Sequence, residues 1–202
     1  MTKFPPLSNP NSFARAIVDR VKYVVGLPRN YRFNAKNGTL NFEDQQQITE
    51  PGSAFSIIPL AFRILDNVSL FNDEPRERFE VFFLNQSGHL CDLILHSYSV
   101  ENLRRATAKF LSYEELSILD CVLTVRPVPR NHPKHGAYYV ADFLFEEMPE
   151  EAKLRAAEMR SVLSPIYREE TVCHPDLITH AEGYCAPDFE AESTELTADI
   201  AK

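Results

Sequence analysis

The sequence predicts a mainly β protein with accessory helices. Three observations carry this. Five β-patterned segments crowd residues 54–147, with one helical stretch between the third and fourth. Two of them alternate apolar and polar side chains with the two-residue period of a half-buried strand. A layered α/β sheet would need a helix between most strands, and only one is available.

The first of these segments runs from Ala54 to Leu65, rich in Ile, Phe and Leu and long enough for one bent strand. A polar loop, 66–77, follows. Arg78–Leu84 is the second strand, Asn85-Gln86-Ser87-Gly88 a turn, and His89–Tyr98 the third. Within it Cys91, Leu93 and Leu95 share one face, opposite Leu90, Asp92, Ile94, His96 and Tyr98. Ser99 caps a helix through Phe110. Leu116–Val125 is the fourth strand, with Leu119, Cys121, Leu123 and Val125 on one face. Arg126–Gly136 is a Pro-rich loop and Ala137–Phe145 the fifth strand. The cysteine-bearing faces, with Phe79, Phe83, Phe143 and Phe145, are assigned to the core.

Extensions flank this region. Phe13, Ile17, Val21, Val24 and Val25 recur at helical spacing, which predicts a helix over 12–25 ended by Gly26-Leu27-Pro28. Asn37-Gly38 sits between Tyr31-Arg32-Phe33 and Thr39–Phe42, the signature of a hairpin turn. Residues 43–53 read as a linker. Pro149 and two glutamates open a helix over 147–164, with Leu154, Met159 and Leu163 facing the strands, and Pro165 stops it. The organisation is therefore an arm (1–53), a strand region (54–147), a helix-and-loop extension (148–185) and an acidic tail (186–202).

Charge follows the same divisions. The chain carries 21 Lys+Arg against 29 Asp+Glu, a net charge of −8, which excludes coating of nucleic acid by bulk charge. Seven basic residues face four acidic ones in the arm, nine face thirteen in the middle, and five face twelve after residue 147. No apolar run approaches the roughly 20 residues of a membrane span. Four cysteines without an export signal suggest reduced thiols in a cytoplasmic protein. Phosphate-binding loops, dinucleotide turns, nucleophile elbows and zinc-protease motifs are absent, so neither catalysis nor a cofactor is expected.

Strand, strand, strand, helix, strand, strand is the element order of the OB-fold, and the chain resembles an OB-fold single-stranded-DNA-binding protein in that order and in its acidic tail. The resemblance implies a five-stranded Greek-key barrel with one helix between strands 3 and 4. It also implies a groove across strands two and three, flanked by the loops joining strands one to two and four to five. In that groove Arg63, Arg76, Arg78, Arg126, Arg130 and Lys134 would hold phosphates. Phe82, His96, Tyr98 and Tyr138 would stack bases. The loop from Arg126 to Gly136 contains three basic residues and no acid, in an acidic protein. Single-stranded DNA, rather than RNA, is the expected partner. The tail would compete for the groove and recruit replication or recombination proteins, and an oligomer is compatible with this reading.

The rival expectation is an OB-fold protein-interaction or assembly module of a mobile element or phage, with its groove narrow or covered. An open layered sheet in place of the barrel, or a groove plugged by the chain's own helices, would bring the nucleic-acid reading of that groove down. Cys173, His174, His180 and Cys185 supply a zinc-compatible donor set, but their spacing matches neither a finger nor a ribbon, and the expectation is no metal.

Overall fold

A computed structural model describes residues 21–42, 46–85, 87–114, 116–134 and 136–186; side chains of residues 109–114 are outside the description. The strands are β1 (Arg29–Asn34), β2 (Thr39–Phe42), β3 (Gln46–Gln47), β4 (Phe55–Ile57), β5 (Pro59–Val68), β6 (Arg76–Leu84) and β7 (Leu90–His96). Helix α1 (Tyr98–Glu114) precedes β8 (Cys121–His132) and β9 (Gly136–Glu147). Helix α2 (Glu150–Leu163) and β10 (Ile178–Glu182) complete the order.

The fold is mainly β, in two sheets. One has seven strands in the order β10-β5-β6-β7-β1-β2-β3, the other three in the order β4-β8-β9. The bent first strand of the sequence reading is β4 plus β5, which joins the sheets by pairing with β8 through β4 and with β6 through β5. The described strands form no closed barrel. Strand β7 pairs in parallel with β1 rather than with β9, so the N-terminal arm occupies the position where a five-stranded barrel would close. The predicted hairpin is β1–β2, and its turn reaches β9 through Tyr139 N–H donating to the Ala35 carbonyl (2.7 Å).

That contact requires glycine. Gly38 has φ +64°, and a Cβ there would lie 2.7 Å from the Tyr139 ring and 3.0 Å from the Pro127 side chain. Gly38→Ala therefore combines backbone strain with overpacking, and should cost about 1–3 kcal/mol in urea unfolding.

Several boundaries differ from the sequence reading. Residues 21–25 are not helical: Lys22 bridges to His89, and Val24–Leu27 is a turn; residues 12–20 lie outside the description. The supposed linker contains β3, paired with β2. The Pro-rich loop is instead the outer half of a long ribbon, because β8 runs to His132 opposite β9. Pro127 and Pro129 are tolerated there, since β4 begins only at Phe55, opposite Val125, and leaves that flank of β8 without a strand partner among the described residues.

The inner faces follow the alternation. Cys91, Leu93 and Leu95 meet Leu123, Val125, Phe143 and Phe145, with Phe62, Phe79, Phe83 and Val100 completing one core. Burial pushes the Cys91 thiol up to about 12 and the Cys121 thiol up to about 11, aided by Asp92 and Asp120 respectively, so both are inert core groups. The outer face of β5–β7 forms a second core, where Leu60, Phe82, Leu84 and Leu90 lie beneath α2. Helix α2 buries Ala152, Ala156, Met159 and Leu163, one stripe at helical spacing; Leu154, expected on this face, points to solvent.

Candidate functional site

The second core changes the fate of the predicted groove. Its floor is the outer face of β6 and β7, and α2 with residues 165–185 covers it. Phe82 is fully buried near the Tyr184 ring (6.1 Å between centroids) and cannot stack a base. Arg63, also fully buried, binds Glu80 (2.5 Å), the Tyr184 hydroxyl (2.7 Å) and the Thr171 carbonyl (2.6 Å). Arg78 is buried, with Asp73 at 3.5 Å. Arg63 and Phe82 are structural, because every polar arm of Arg63 is consumed inside the protein and no face of Phe82 is open; Arg78 is closed to solvent, with Nε donating to the Val68 carbonyl (3.3 Å).

Other predicted residues remain accessible but scattered. Arg76 is half-buried and paired with Asp73 (3.2 Å). His96 is held below its usual pKa by desolvation of the ring and by Arg76 and Arg78, which favours the neutral imidazole over a phosphate-binding cation. Tyr98 is exposed at the start of α1.

Arg126, Arg130 and Tyr138 are brought together. Cross-strand register sets Arg126 opposite Asp142, Val128 opposite Val140 and Arg130 opposite Tyr138, all on the outer face of the ribbon. Helix α1 lies along the edge of β9: Ser99 Oγ accepts from Ala141 N–H (3.0 Å), and Asn102 Nδ2 donates to the Ala141 carbonyl (2.8 Å). One turn later α1 presents Arg105. The result is an open cleft of about 450 Å³ lined by Asn102, Arg105, Arg126, Arg130, Asp142 and Leu144, among others. Arg126 pairs with Asp142 (2.6 Å) and Arg105 with Glu101 (3.5 Å); Arg130 has no ion-pair partner among the described residues. Lys134 is exposed at the tip of the same ribbon.

Exposed ion pairs contribute only about 0–1 kcal/mol, so an incoming phosphate can displace Asp142 or Glu101 at little cost. The cleft thus offers three guanidinium groups and an exposed Leu144; Tyr138, the register partner of Arg130, does not line it. Arg105 and Asp142 were not singled out in the sequence. Asp142 was readable, because it is equidistant with Arg126 from the ribbon turn; Arg105 required knowing which side of α1 meets β9.

The four residues of the zinc-compatible set do not assemble. Cys173 Sγ lies 3.8 Å from Arg63, His174 accepts from Asp176 N–H, and His180 packs on Phe62. Among the described residues no three His, Cys, Asp or Glu side chains form a metal-binding group. No described helix is long and apolar enough to cross a membrane. No family model, curated protein or solved structure matches the chain.

Proposed function

We propose that the protein is a non-catalytic module that binds single-stranded nucleic acid, DNA before RNA, along the cleft between α1 and the β8–β9 ribbon. The convergence of Arg105, Arg126 and Arg130 in one open cleft of an acidic protein carries this reading. The partial OB-type arrangement supports it: the bent first strand divides its pairing between the second and fourth, and one helix separates the third from the fourth. The groove expected from the sequence is plugged by α2 and residues 165–185, and the described strands close no barrel, so the groove reading falls and the proposal rests on this cleft instead. In this reading the acidic residues after Ala186, which lie outside the description, compete for the cleft.

Fluorescence anisotropy of a labelled oligo-dT at low salt tests it. Arg126→Ala with Arg130→Ala should weaken binding about tenfold or more and flatten the salt dependence, each lost phosphate contact removing roughly 0.7 from the log–log slope. A chain ended at Ala186 should bind more tightly than the full chain. No binding by either form at tens of micromolar rejects the proposal.

A protein-interaction module is the second reading, favoured by the covered outer face of β5–β7. It predicts that the double arginine variant leaves any weak oligonucleotide contact unchanged.

A further inference from the structure

The cleft does not use the basic residues of the N-terminal arm, and two of them gather elsewhere with a histidine. Lys22 N–H donates to the Gly88 carbonyl (2.7 Å), and the Lys22 carbonyl accepts from Leu90 N–H (3.1 Å), which sets Lys22 beside His89 in a parallel bridge. Arg29 is the register partner of Cys91, two residues beyond His89, so Lys22, Arg29 and His89 share one face where the arm meets β7. The Arg29 guanidinium rests over the Phe42 ring at 5.5 Å. Helix α1 begins at the other end of β7. The cluster and the cleft are therefore separated by roughly 20 Å of strand.

This positive charge has no internal answer. Most described arginines pair with a carboxylate, but among the described residues none of Lys22, Arg29 and His89 has an ion-pair partner. Desolvation, then Arg29, then Lys22 hold His89 below its usual pKa. Burial raises Cys91 and Tyr31, the other titratable groups at this end, so both are neutral. Asp92 turns to the opposite face of β7, toward Arg168. The His89 ring is half-buried, and its Nδ1 is sealed from solvent without a hydrogen-bond partner. A proton on Nδ1 would have no acceptor, so the neutral ring carries its proton on Nε2 and offers that N–H as a donor. An unsatisfied imidazole nitrogen beside two uncompensated cations is a cost that packing does not require, since an aliphatic side chain would avoid it.

We propose that Lys22, Arg29 and His89 form a binding site for a phosphate group, separate from the cleft. An ammonium, a guanidinium and an imidazole N–H supply donors from three segments of the chain, and a tetrahedral dianion presents enough oxygens to accept from all of them. A monatomic anion answers the charge but not the directions of the donors. The same phosphate chemistry is available from a small phosphorylated molecule or from a polynucleotide backbone, and the competition arms below distinguish these sources.

The test titrates the full chain with inorganic phosphate at fixed ionic strength, with chloride as control, and follows the His89 ring signals by NMR, assigned from their loss in His89→Gln. Phosphate should shift them saturably, with a midpoint of about 1–10 mM, and chloride should not. Lys22→Met with Arg29→Met should weaken phosphate binding about tenfold or more. The urea midpoint of this variant should stay near that of the wild type, because both side chains are exposed. Arg126→Ala with Arg130→Ala should leave the phosphate response intact. Displacement of phosphate by thymidine monophosphate identifies a small phosphorylated ligand as the source, and displacement by oligo-dT alone identifies a polynucleotide backbone. No saturable shift, an equal shift with chloride, or an unaffected Lys22/Arg29 variant would overturn the proposal. So would loss of the response in the Arg126/Arg130 variant, because His89 would then only report on the cleft.

Discussion

Arg63→Met should lower the unfolding free energy by about 3–5 kcal/mol, seen as a fall in the urea midpoint. The side chain is fully buried between β5 and the C-terminal extension. Its Nε meets Glu80, Nη1 the Tyr184 hydroxyl, and Nη2 both oxygens of Thr171, while the Tyr184 ring lies 4.2 Å from the guanidinium carbon. Thr171 Oγ1 completes the circuit by donating to the other Glu80 oxygen (2.8 Å). Methionine fills much of the volume but leaves the Glu80 carboxylate without a cation in a site closed to water. The loss comes from that stranded charge more than from the pair itself. Arg63→Met with Glu80→Met should therefore recover a large part of the stability. A single variant within about 1 kcal/mol of wild type, below the cost of an unpaired buried charge, would show that Glu80 finds another partner or a proton.

This network also marks where local pattern stops informing. Alternation located the inner faces correctly, because Cys91, Leu93 and Leu95, like Cys121, Leu123 and Val125, respond to one adjacent core. The stripe on α2 and its flanking prolines were equally local. The other face of β6 and β7 was read as a solvent groove, yet its covering comes from residues 148–185, much later in the chain. A signal was present: Arg78–Leu84 is nearly continuous in apolar side chains, as strands buried on both faces are. A lone arginine or carboxylate inside such a run needs a buried partner, and Arg63, Glu80, Asp92 and Arg168 prove to be two pairs. The parallel pairing of β1 with β7 left no comparable trace, since it joins segments about 60 residues apart through backbone atoms common to every residue. The cationic ribbon was recognised by composition, but its two prolines disguised a strand as a loop.

Between about pH 4 and pH 7 the wild-type protein should lose stability relative to Asp92→Asn. Burial raises the Asp92 carboxyl from 3.8 to about 7, and neighbouring Glu80 adds to the rise while Arg168 opposes it. Asp92 Oδ2 receives Arg168 Nη1 at 2.8 Å, but Oδ1 is buried without a hydrogen-bond partner among the described residues, which makes the ionised form the costlier one. The sign follows from proton counting. Across this window the folded state retains the proton that the unfolded chain has already released, so unfolding becomes easier as pH rises. Each pKa unit corresponds to about 1.4 kcal/mol, and the decline ends once pH passes the folded value near 7. Asparagine has the same shape and no titration, so urea midpoints of the two proteins should diverge over this range and run parallel above it. The direction opposes the usual gain in stability as surface carboxylates ionise, which is why the difference between the two proteins is the diagnostic quantity. Parallel profiles from pH 4 to pH 7 would mean that Arg168 keeps Asp92 ionised throughout. The extension would then be held to the sheet by a full ion pair rather than by a neutral acid.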